Sequence, residues 1–173
     1  MNYQLQVPYP CPCRPARLPD RVVVARLRQL LAGRSGVLTA GCCFVQAAAQ
    51  CRVQGQEEWT RLFEAAAQTA GCQLRVLTEM LVCCGGEAAF FVPEQGQRLW
   101  WSARWVGGSG KAGELLRQAL GLELAACTAC RELLSLVPDS FQPCIERLLA
   151  DAQCFAAHFR TALWEVRTKH TTL

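Results

Sequence analysis

A carboxylate and two thiols recur at helical spacing within the run ELAACTAC. Glu123, Cys127 and Cys130 are four and three residues apart, so a helix places them on one face. A carboxylate can bind a hard metal ion or join a buried hydrogen-bond cluster, and a Cys-x-x-Cys pair can bind a soft metal or undergo redox chemistry.

The thiol pair by itself favours a structural role. Cys127 and Cys130 lie in mid-helix, not at a helix N-terminus that would lower a thiol pKa, and no second Cys-x-x-Cys completes a zinc set. Two core cysteines one turn apart are the favoured interpretation, with a thiol site as the alternative. Cys11-x-Cys13 also lacks partners and supports only a weak thiol-metal hypothesis. The run GGSGK lacks the spacing of a phosphate loop and predicts a flexible entry to a helix.

The composition predicts a globular, cytoplasmic protein. The chain of 173 residues is 51% hydrophobic and 18% charged, which is enough to bury a core. Its net charge of +4 comes from basic residues spread along the sequence, which argues against a nucleic-acid partner. No apolar signal core opens the sequence, and no uninterrupted apolar run reaches the ~18 residues of a membrane span. In a reducing compartment, the 12 cysteines are expected to be core residues or thiols.

The hydrophobic periodicity predicts an all-α protein with four helices. A proline-rich arm, residues 1–19, precedes the helical domain, residues 20–167, and a polar tail, residues 168–173, follows it. A long crossover without helical period, Glu87 to Lys111, joins the second and third helices. Two helical hairpins joined by one crossover predict a four-helix bundle of ferritin-like topology. The predicted helices are 21–51, 57–84, 112–137 and a fourth that includes 145–163.

Five segments together resemble the ferritin-like superfamily, and within it a bacterial group related to manganese catalases and small ferritins. The resemblance covers nearly everything after the proline arm. The segments are LLAGRSGVLTAGCCFVQ, LFEAAAQTAGCQLRVLTEMLVCCGG, GQRLWWSARWVGGSG, LLRQALGLELAACTACREL and IERLLADAQCFAAHFR.

This resemblance implies a site for two metal ions between the helices. In the family, the first and third helices each supply a Glu, and the second and fourth each supply a Glu-x-x-His. Only Glu123 is acidic among the corresponding positions here, and a one-residue change of register does not restore the ligands. His158 and His170 are the only histidines, and both belong to the last helix or tail. Carried over position by position, the six ligands fall on Val37, Ala70, Gln73, Glu123, Ala152 and Phe155.

Glu123 needs a partner or a proton if it is buried alone. Arg34, one turn before the first-helix position, and Gln73 across the core are the predicted partners in a polar cluster that replaces the metal. The alternatives are a carboxyl with a raised pKa, a carboxylate that turns to water, or a retained metal ion.

The resemblance and the missing ligands together predict a degenerate ferritin-like protein that has lost its di-iron or di-manganese centre. We expect a non-catalytic structural or interaction subunit without a cofactor, which forms a homo-oligomer and has a possible protein partner. The alternative is a metal-binding oxidoreductase or storage protein that holds iron or manganese at an unconventional site around Glu123 or the cysteine thiols.

Overall fold

The chain folds into helices joined by a long connection that carries a β-hairpin. The computed structural model describes residues 9–12, 15, 19–108 and 110–171. The all-α class and the four-helix architecture predicted from the sequence are confirmed, with α1 and α2 together serving as the first helix of the bundle. In the described residues the elements are α1 (Arg21–Ala32), α2 (Val37–Val53), α3 (Glu57–Cys83), β1 (Phe91–Glu94), β2 (Gln97–Trp100), a 3-10 turn (Ala103–Trp105), α4 (Ala112–Leu134) and α5 (Gln142–Thr171).

The prediction of one continuous first helix is wrong. The helix begins as expected, because the Asp20 side chain accepts a hydrogen bond from the Val22 amide at 2.7 Å and caps α1. It then breaks between Ala32 and Val37. A Cβ at Gly33 would lie 2.4 Å from the Gln29 carbonyl oxygen, so only glycine fits this tight bend.

The crossover contains an antiparallel hairpin that hydrophobic periodicity did not reveal. β1 pairs with β2 so that Phe91 lies opposite Trp100 and Glu94 lies opposite Gln97. The turn residues Gln95 and Gly96 have φ angles of 49° and 78°, the left-handed values that a two-residue hairpin turn requires. The Trp101 indole Nε1 donates to the Thr39 hydroxyl at 3.0 Å and ties the end of the hairpin to α2.

The core forms where the two helical hairpins meet. α2 packs mainly against α3, and α4 packs mainly against α5. Four phenylalanine rings fill the interior, with Phe159 5.6 Å from Phe44, 5.4 Å from Phe63 and 6.2 Å from Phe155 between ring centroids. Burying side chains of this size stabilises the fold by about 1.5–3 kcal/mol each.

Residues Arg21–Val53 are long and apolar enough by composition to cross a membrane, although 61% of their most apolar window is buried inside the bundle. That burial is typical of a core helix. At the other end of the chain, α5 continues to Thr171, past the boundary at residue 167 that we drew from the sequence.

Candidate functional site

The six positions that correspond to metal ligands all face the bundle interior. Each is buried, and the side chains there are three aliphatic, one aromatic, one amide and one carboxyl. They lie on α2, α3, α4 and α5, the helices that the resemblance assigns to the ligands. The residues are Val37, Ala70, Gln73, Glu123, Ala152 and Phe155.

Two contacts show how the helices pack near these positions. A Cβ built on Gly41 would lie 3.2 Å from the Ala70 Cβ, so α2 and α3 approach closely one turn from Val37. On α5, the Phe155 ring joins the aromatic cluster through Phe159. Small side chains that let helices approach and rings that pack against one another are typical of a densely packed interior.

Glu123 carries the buried carboxyl of this region and is 8% exposed. Burial, and then the nearby Asp151 carboxylate, raise the pKa of Glu123 to about 8. Within the described part of the chain, the Glu123 carboxyl has no ion pair or hydrogen bond to another side chain. This shift favours the protonated, neutral form of Glu123, which avoids the cost of a lone buried charge.

Arg34 does not join Glu123 and Gln73, contrary to the cluster predicted from the sequence. It lies in the break between α1 and α2, where its side chain is exposed and its guanidinium stands 5.9 Å from the centroid of the Trp105 ring. The prediction placed Arg34 one helical turn before Val37, and the break removes that geometry.

Tyr9 from the N-terminal arm supplies the polar contacts instead. Its hydroxyl donates to Oδ2 of Asp151 and is also hydrogen-bonded by Gln73. Arg147 Nε donates to Oδ1 of the same carboxylate at 3.0 Å, and the Arg147 guanidinium lies 4.8 Å from the Tyr9 ring centroid. Burial and the hydrogen bond to Asp151 hold the pKa of Tyr9 well above its usual value, so the phenol stays protonated.

Sequence reasoning missed this contact, although part of the signal was present. Arg147 and Asp151 are four apart on a helix, the spacing of an ion pair. Tyr9, however, is 142 residues from Asp151 in sequence and belongs to an irregular arm. Periodicity gives no information about where such a segment docks.

The candidate thiols are core residues with unreactive surroundings. Cys127 and Cys130 are both buried. Burial raises the pKa of both thiols, that of Cys130 to about 12, so neither is a thiolate at neutral pH. Cys11 is exposed, and its neighbour Cys13 lies outside the described residues.

The interior does not fit an iron or manganese pair. Such ions need several carboxylate or imidazole ligands that converge on one point. Among residues 9–12, 15, 19–108 and 110–171, no group of three or more His, Cys, Asp or Glu side chains could hold a metal ion. Of the six positions that the resemblance implies, only Glu123 carries a carboxyl, and the nearby Asp151 side chain is engaged by Arg147 and Tyr9.

The sequence matches no protein-family model, and none of the curated proteins matches it. Solved structures do resemble it. KatB, a manganese catalase from Anabaena PCC7120, aligns with a TM-score of 0.74 and 17% sequence identity over 96% of this chain and 81% of KatB. A dodecameric thioferritin, the bacterioferritin-related protein from Bacteroides fragilis, aligns with a TM-score of 0.69 and 15% identity over 90% of this chain and 94% of that chain. The helices, their order and these alignments together show that the chain adopts the ferritin-like fold.

Proposed function

We propose that this chain is a ferritin-like protein whose di-metal centre has been replaced by packed core, and that it acts as a non-catalytic structural or interaction subunit. One observation carries the proposal. Five of the six ligand positions hold Val37, Ala70, Gln73, Ala152 and Phe155, and all five are buried.

The contacts of Asp151 support the same proposal. Its two side-chain oxygens accept hydrogen bonds from Tyr9 and Arg147, so protein groups already occupy the polar side chain beside Glu123.

Exposed apolar side chains support self-association. On α2, Val45 and Val53 are 61% and 89% exposed, and on the hairpin Trp100 is 56% exposed. These side chains lie on the first bundle helix and the crossover, the two parts of the chain through which we propose that it associates. Since the thioferritin neighbour is a dodecamer, a homo-oligomer in the cytoplasm is the assembly that we propose.

Elemental analysis tests the loss of the metal centre. The full-length protein, expressed with added iron and manganese and purified without chelator, is expected to contain far less than the one or two ions per chain of a di-metal site. It is also expected to evolve no oxygen from hydrogen peroxide. About one to two ions per chain, lost in Glu123→Ala, would overturn the proposal in favour of a metal-dependent oxidoreductase or storage protein. If the bound metal is lost in Cys127→Ser or Cys130→Ser instead, the result would favour a thiol site.

Sedimentation velocity tests the assembly. We expect a species larger than the 19.1 kDa chain at micromolar concentration. Val45→Lys, which places a charge on the exposed face of α2, should shift the distribution toward monomer. A monomer for the unmodified protein would contradict self-association.

A further inference from the structure

The N-terminal arm lies in the groove between α3 and α5. From the α5 side, the Cys144 thiol lies 3.6 Å from the Pro10 carbonyl oxygen. From the α3 side, the Cys83 thiol lies 3.8 Å from the Pro12 carbonyl oxygen. Both thiols are placed as weak donors to the arm's main chain. We call this groove the tyrosine groove; its walls are Gln73, Cys83, Cys144, Arg147 and Asp151.

Side chains of the groove contact both the ring and the hydroxyl of Tyr9. Arg147 stacks on the Tyr9 ring, and Asp151 and Gln73 bond its hydroxyl. The side chains of Arg147 and Asp151 are only 19% and 14% exposed. A buried aromatic ring with an arginine and a paired carboxylate is the composition of a binding hot spot.

The occupant is held in the way that a peptide ligand is held. One tyrosine side chain and the carbonyl groups of Pro10 and Pro12, which accept from groove thiols, contact the groove. Pro10 and Pro12 alternate with other residues, and this spacing favours an extended conformation that loses little entropy on binding.

We propose that the tyrosine groove is a binding site for an extended, proline-rich peptide that bears a tyrosine, and that residues 9–12 occupy it as a tethered ligand. The inference deepens the proposed interaction role by naming the chemistry of the partner, and it rests on that role. It does not depend on the metal content of the protein. A peptide that fails to bind therefore leaves the elemental analysis unaffected.

The tether determines how the site behaves in the whole chain. Because the arm is covalently attached, its effective concentration at the groove is on the order of millimolar, so the arm competes strongly with any external ligand of the same chemistry. An outside peptide should gain access when the Tyr9 anchor is removed.

Peptide binding by full-length variants tests the inference. The probe is a fluorescent peptide that matches residues 7–15, VPYPCPCRP, with both cysteines replaced by serine. Fluorescence anisotropy should show saturable binding to Tyr9→Ala and binding about tenfold or more weaker to the unmodified protein. A peptide with alanine in place of its tyrosine is the control and should bind neither protein.

Substitutions of two arginines on α5, one in the groove and one outside it, test whether the peptide binds in the groove. In the Tyr9→Ala background, Arg147→Ala should weaken binding of the peptide because it removes the stacking cation and leaves Asp151 unpaired. Arg160→Ala changes an exposed arginine on the same helix and should leave the affinity unchanged.

Equal binding to the unmodified protein and Tyr9→Ala, or equal binding of the two peptides, would overturn the proposal. If Tyr9→Ala does not fold, Tyr9→Phe decides the question, since it keeps the ring and loses the hydroxyl contacts. The peptide should then bind Tyr9→Phe severalfold more tightly than the unmodified protein, and equal affinities would refute the tethered-ligand role.

Discussion

Arg28 and Glu123 are two buried ionisable side chains that the protein treats in opposite ways. Arg28 is 6% exposed, and its guanidinium donates to the carbonyl oxygens of Ala89 at 3.1 Å and Glu87 at 3.2 Å while it lies 4.0 Å from the centroid of the Phe91 ring. Burial lowers its pKa and the Glu87 carboxylate raises it, and the group remains a cation. Glu123 is 8% exposed, and burial beside Asp151 keeps it neutral.

The difference shows that partners, rather than depth, decide whether a buried charge is kept. The segment before β1 provides Arg28 with two carbonyl groups, and β1 provides an aromatic face, at the required distances. The bundle interior buries Glu123 beside a second carboxyl group and, among the described residues, gives it no cation. If the metal centre has been lost, as we propose, Glu123 has lost the cations that would have kept it ionised.

Among the substitutions predicted here, replacing Glu123 is expected to change the free energy of unfolding most. The folded-state pKa is about 8 and the ordinary value is 4.5, so the folded protein holds a proton that the unfolded chain releases. The stability contributed by this group is present below the ordinary value and is lost as pH rises toward 8. Glu123→Gln should therefore raise the free energy of unfolding near pH 8 by about 3–5 kcal/mol and leave it nearly unchanged near pH 4. Urea denaturation of the variant and the unmodified protein near pH 4 and near pH 8 measures the two differences.

The exposed Glu146 on α5 offers a control, since Glu146→Gln should alter stability by less than about 0.5 kcal/mol at either pH. A Glu123→Gln variant with the same pH dependence as the unmodified protein would show that Glu123 is ionised in the fold, and the comparison with Arg28 would then fail.

The sequence predicted the parts of the bundle that depend on periodic apolar residues. The helix predicted over 57–84 matches α3, because the helical period of its apolar residues and the Gly85-Gly86 pair that follows are local signals. The burial of Glu123 likewise agrees with the apolar face predicted for the helix over 112–137.

Features that depend on short irregular segments were not predicted. The break at Gly33 and Gly36 interrupts a run with continuous apolar periodicity, and two glycines three residues apart were the only warning. That break removed Arg34 from the core. The Gln95-Gly96 turn lies in the crossover, where the absence of a helical period predicted a connection and no strands. The docking of Tyr9 on Asp151 depends on tertiary structure alone.

Removing the charge of Arg28 is expected to give the next largest effect. Arg28→Met keeps much of the apolar stem but leaves the carbonyl groups of Glu87 and Ala89 without their donors. The free energy of unfolding should fall by about 2–4 kcal/mol, with the loss centred on the hairpin. Arg28→Lys keeps the charge without the two-pronged geometry and should lose about half as much. Hydrogen exchange at Phe91 to Trp100 that stays unchanged in Arg28→Met would contradict the role given to this side chain.

Tyr9→Phe tests a third buried polar group, one whose partners lie beside Glu123. The variant keeps the ring over Arg147 and removes the hydroxyl that bonds Asp151 and Gln73. Because Asp151 keeps its bond to Arg147, the expected loss is about 1–2 kcal/mol in thermal or urea unfolding. Tyr9→Ala should lose more, since it also removes the ring. A loss in Tyr9→Phe as large as in Arg28→Met would mean that Asp151 depends on the phenol more than on Arg147.

Glu87→Gln is expected to have the smallest effect and separates two roles of one residue. The Glu87 main-chain carbonyl accepts from buried Arg28, whereas its carboxylate pairs with Arg98 at 2.8 and 3.0 Å where both side chains are more than half exposed. The substitution removes the exposed ion pair and the charge that the Glu87 carboxylate presents to Arg28 but keeps the main-chain carbonyl, so the free energy of unfolding should fall by less than about 1 kcal/mol at low salt. The difference should vanish in about 1 M salt, because solvated charges are screened there. A larger loss that survives high salt would mean that the carboxylate itself holds Arg28 in place, and the partners of that buried cation would then include a charge as well as dipoles.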